Sequence, residues 1–68
     1  MSREIMTQLK SARKAKRITQ GDVARACGLD TSQVSRSERG LRRITLDKVV
    51  TWAALVGLRL VLERAEGE

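Results

Sequence analysis

Thr31, Ser32, Ser35, Arg36 and Arg39 carry the most specific chemistry in this chain. They step by one, three, one and three, the rhythm of one side of an α-helix. Every member is small, polar or basic, so that side is not built for a core. Hydroxyls donate and accept hydrogen bonds. A guanidinium fork can grip two acceptors on a guanine edge, worth about 1–3 kcal/mol of discrimination. Such a face suits the base edges and phosphates of a DNA major groove.

Positioning that face requires two short helices joined by a tight turn, within residues 19–40. Thr19 with Asp22 three residues on has the form of a capping box opening a helix, and Val23, Ala24 and Cys27 then face inward. Gly28 fits the left-handed residue that closes it. Asp30 with Gln33 repeats the box for the next helix, which runs to about Arg39 and stops at Gly40. Its inner face is Val34 and Ser37. Before this pair, residues 3–16 read as a helix with Ile5, Leu9 and Ala12 as its apolar stripe and Met6 beside it. After the loop 41–44, Thr45 is placed to cap a further helix. Its stripe is Leu46, Val49, Val50, Ala53 and Val56, and Gly57 ends it. In residues 58–63 the leucines 58, 60 and 62 alternate with Arg59, Val61 and Glu63. That pattern favours a strand, while a helical reading would align Leu58, Val61 and Leu62 instead.

The chain has 68 residues, with no Pro, His, Tyr or Phe and a single Trp. That length makes one small domain, burying about 60% of its unfolded surface. Leu, Ile, Val and Ala suffice for a helical core, so the fold class is all-α. One Cys and no His exclude a disulfide framework and a zinc-finger ligand set, and a reducing cytoplasm fits. No run of about 18 apolar residues is present, so no membrane segment is expected, and residues 1–10 lack the apolar centre of a signal peptide. The net charge of +6 sits mainly in residues 1–48, where twelve Lys and Arg face five acids. A basic body with a near-neutral tail suits a polyanion. Catalysis has no clustered carboxylate pair and no activated nucleophile. No cofactor, metal or small-molecule substrate is expected.

The segments LKSARKAKRITQ, DVARACGLDTSQVSRSERG and LDKVV resemble the helix-turn-helix domain of the Cro and Xre repressor family, over about residues 9–57. The resemblance implies a compact, lambda-repressor-like domain of four to five helices. It assigns base contacts to Thr31, Ser32 and Arg36, with Ser35 on the same face. It assigns phosphate contacts to Gln20, Gln33 and Arg39, joined by Thr19 at the start of the same helix. Arg42 and Arg43 read either as plain surface or as further phosphate contacts from the loop. Arg13 and Glu38 match an internal ion bridge between the first and third helices. Where the family often has Pro, this chain has Ile44, and Ala54 and Leu55 add apolar surface near the tail.

The tail GLRLVLERA resembles the C-terminal strand of HipB-type antitoxins. The expected organisation is a DNA-binding domain at 1–57 and a dimerisation tail at 58–68. The homodimer interface would be drawn from Trp52, Leu55, Leu58, Leu60 and Leu62. Core packing is the other reading of Trp52, and Cys27 reads as a core residue. The function that follows is a dimeric regulator, a repressor, on a double-stranded DNA operator. The rival is an antitoxin whose main task is to hold a toxin protein. An RNA-binding reading lacks the aromatic stacking surface it needs.

Overall fold

The computed structural model describes residues 3–61. Four helices follow in order: α1 (Arg3–Ala15), α2 (Gln20–Cys27), α3 (Thr31–Glu38) and α4 (Leu46–Leu55). The helix α2 packs against both α3 and α4, and α1 packs against α3. Their shared core holds Met6 and Leu9 from α1, then Val23, Ala24 and Cys27, then Val34, then Val49, Trp52, Ala53 and Val56. Burial of this apolar set is the main force holding the helices together, at roughly 25 cal/mol per Å² removed from water.

Local chemistry sets where the helices begin. Thr19 and Asp22 form a reciprocal capping box, and so do Asp30 and Gln33. The Thr19 backbone N–H, its hydroxyl and then the Arg25 charge hold the Asp22 carboxyl below the usual carboxylate range. Gly28 closes α2 at φ 69° and its N–H donates to the Ala24 carbonyl. A side chain there would be strained, so glycine is the natural residue for the turn.

Three details depart from the sequence reading. Thr45 stands at the start of α4 but its side chain makes no capping bond; the hydroxyl turns to the Asp47 carboxylate instead. The buried stripe of α4 is Val49, Trp52, Ala53 and Val56, while Leu46 and Val50 are about half exposed. The sequence LDKVVTWAAL is apolar on several sides, so more than one stripe fits it, and the bulky indole takes the core. Trp52 is 0% exposed within its own chain, as its core reading has it, and so offers no surface to a dimer partner. The described part of the tail, residues 58–61, has no regular secondary structure, so the expected strand is not formed there. Leu62, Glu63 and the rest of 62–68 lie outside the described residues. Leu60 packs against the core and, with Leu58, lines a groove over Ile5, Leu9, Val49 and Ala53.

Candidate nucleic-acid interface

Helix α3 turns Val34, Ser37 and Glu38 inward and leaves Thr31, Ser32 and Arg36 exposed, with Ser35 half-buried. Even the inner Ser37 is satisfied, because its hydroxyl donates to the Gln33 carbonyl at 2.9 Å. The outer face is thus free of packing duties. Arg36 makes no hydrogen bond or ion pair with its guanidinium among the described residues. The same holds for Arg39 at the end of α3 and for Arg42 and Arg43 in the loop beyond it, all exposed. Four cations therefore surround one exit of the helix with no acid holding them.

Behind this face lies a buried ion pair. Arg13 donates from Nε to Glu38 Oε2 at 2.6 Å and from Nη2 to Glu38 Oε1 at 3.1 Å. Its Nη1 reaches the Ile18 carbonyl at 2.9 Å. Gln20 donates from Nε2 to Glu38 Oε1 at 3.0 Å. One carboxylate thereby ties α1, the loop before α2, α2 itself and α3 into a fixed arrangement. The bidentate fork gives the contact a defined geometry as well as energy. The amide of Gln20, expected at a phosphate, spends one hydrogen on this network and keeps its other donor and its oxygen. Gln33 likewise uses its oxygen on the Asp30 N–H at 3.0 Å and keeps its amide hydrogens.

A shallow basin opens between α1, the start of α2 and the start of α3. Lys14, Arg17, Thr19, Gln20, Gly21 and Thr31 lie along it. The first amides of α2 have no carbonyl partner within that helix, and they sit at the positive end of its dipole. The end of α1 and its loop thus supply the basic side of this surface, and the starts of α2 and α3 its polar side. Thr19, Gln20 and Thr31 were expected at such a surface; Lys14 and Arg17 were not singled out in the sequence. Their place beside the basin depends on how the loop 16–19 is folded back.

A family model described as Helix-turn-helix matches residues 9–62, most of the chain. The chain belongs to the Cro/Xre-type helix-turn-helix family. It is accordingly a DNA-binding transcriptional regulator of that type, and its partner is double-stranded DNA. No curated protein matches the chain. Within the family frame, α2 and α3 are the helix-turn-helix pair. Among the described residues no group of His, Cys, Asp or Glu could hold a metal ion, and no helix is long and apolar enough to cross a membrane. Cys27 is buried, and its thiol sits 3.5 Å from the Lys48 carbonyl. Burial raises its pKa, which suits a packing residue.

Proposed function

We propose that this regulator is a sequence-specific repressor that binds its operator as a homodimer, one recognition helix in each of two half-sites about 34 Å apart. The observation that carries the reading is the outward face of α3, where Thr31, Ser32 and Arg36 stand exposed with nothing among the described residues to hold them. Arg36 is the strong bidentate donor in the middle of that face. Thr31, Ser32 and Ser35 add hydroxyl contacts to neighbouring base edges, which specify less sharply. Thr19, Gln20, Gln33, Arg39, Arg42 and Arg43 fix the register through phosphates. Occupying a promoter in this way blocks polymerase access, which is the simplest route from binding to repression.

Two results are expected from variants on DNA. Arg36→Ala weakens binding to the selected operator by about 1–3 kcal/mol and relaxes the preference at one base pair per half-site. Equal losses on operator and random duplex would remove its base-reading role. Arg39→Ala and Arg42→Ala instead weaken binding to every sequence, each with a shallower salt dependence by about one phosphate per half-site. A salt slope identical to wild type in both variants would leave them as surface charge. Selection from random DNA with the purified protein supplies the operator for these titrations.

Apolar surface supports the homodimer. Leu46, Val50, Leu55, Leu58 and Val61 are all more than a third exposed, a heavy load for so small a domain. A second copy paired through residues 58–63 around a two-fold axis would cover the tail. The antitoxin reading uses the same surface for a toxin protein, and sedimentation of the purified protein separates the two. A dimer at micromolar concentration supports self-association; a monomer that dimerises with no copy of itself leaves the surface to another protein.

A further inference from the structure

Arg17 is the one described non-glycine residue with a positive φ, at 58°. It ends α1 in a left-handed turn, with its N–H donating to the Lys14 carbonyl and the next N–H, of Ile18, donating to the Arg13 carbonyl. This is the position at which helices favour glycine, because a Cβ is unfavourable in that region. Arg17 forms no hydrogen bond with its side chain and no ion pair among the described residues, and it is exposed. The strained backbone therefore returns nothing to the fold that a glycine would not give better. What the strained position does achieve is placement. It aims a cation along the basin that also holds Lys14, Thr19 and Thr31, where no acidic side chain lines the wall. Lys14 is equally unpaired among the described residues. The third cation of the basin, Arg13, is already committed to Glu38 and to the Ile18 carbonyl. That last bond anchors the loop in the shape that puts Arg17 where it is.

We infer that Arg17, with Lys14 beside it, is a sequence-independent contact to the DNA backbone, kept in a strained conformation for binding at the expense of stability. The inference rests on the DNA-binding reading of the family and adds a contact that the helix-turn-helix pattern alone does not supply. Its signature is opposite movement of two quantities. Arg17→Gly relieves the backbone and removes the charge. It is expected to melt at a higher temperature than wild type while binding a mixed-sequence duplex more weakly. The slope of log affinity against log salt should be shallower by about 0.9 for each protein copy bound. Arg17→Lys keeps both the charge and the left-handed turn, and it should keep the wild-type slope and melting temperature. Wild-type affinity and slope in Arg17→Gly, beside a wild type that binds the duplex, would overturn the backbone contact. A lower melting temperature in Arg17→Gly would overturn the strain. A wild type that binds no duplex at low salt would instead bring down the DNA-binding reading and this inference with it, a result distinct from the other two.

Discussion

Glu38→Ala is expected to unfold the protein or leave it barely folded at room temperature. The Glu38 side chain is only 1% exposed and accepts three hydrogen bonds, two from Arg13 and one from Gln20. Removing it leaves a guanidinium, itself 10% exposed, with only the Ile18 carbonyl as partner. Breaking one side of a buried pair costs about 3–5 kcal/mol, chiefly through the charge left behind. A chain of this size has a total stability of roughly 3–10 kcal/mol, so the loss takes much of it. The exposed pair of Arg25 and Asp22 gives the contrast. Arg25→Ala should hardly move the melt, because solvent screens such pairs. Thermal melts followed by circular dichroism, or by fluorescence of the single buried Trp52, read both variants. Equal melting temperatures for Glu38→Ala and Arg25→Ala would show that Glu38 carries no buried load. The double variant Arg13→Met with Glu38→Leu should recover part of the stability, since it removes both charges together. It should not recover operator binding if the pair also holds α3 at its angle to α2.

What was legible in the sequence was what depends on near neighbours. Both capping boxes, at Thr19 and Asp30, are settled within three residues, and both are present. The turn at Gly28 is settled by one residue that tolerates a left-handed backbone. The outer face of α3 was legible because a stripe of small, polar and basic residues cannot be a core. Features set by packing between distant segments were harder. The phase of α4 was ambiguous because nearly every position from Val49 to Val56 is apolar, and only the assembled core selects Trp52 over Val50. The bond between Arg13 and Glu38 spans 25 positions, and no spacing rule connects them. Only the family resemblance pointed to that bond. Gln20 joining the same carboxylate was not foreseen at all. Arg17 in a left-handed turn was equally hidden, since nothing about an arginine announces that conformation.

Under the proposed homodimer the tail's conformation depends on a second molecule, and its removal is the other large effect expected. The Leu58 N–H donates to the Ala53 carbonyl, which holds the chain to the end of α4. Beyond that, residues 59–61 make no backbone hydrogen bond among the described residues. Arg59 and Val61 are exposed, so this stretch is open to a partner's backbone. None of the described residues forms a strand, and pairing with the same segment of another copy is the simplest arrangement that would make one. Truncation after Gly57 should give a monomer whose operator affinity falls by at least about 100-fold, because two linked half-site contacts become one. Truncation also removes Leu58 and Leu60 from the wall of the groove beside Leu9 and Val49, so lost folding could mimic a lost dimer. Val61→Pro separates the two. It keeps Leu60 in the groove but deletes one backbone donor and blocks pairing in the middle of the segment. Sedimentation and operator titration are expected to show a folded monomer with the same loss of affinity as the truncated chain. A Val61→Pro protein that still sediments as a dimer would rule out strand pairing and leave the exposed side of α4, with Leu46 and Val50, as the surface that joins the two copies.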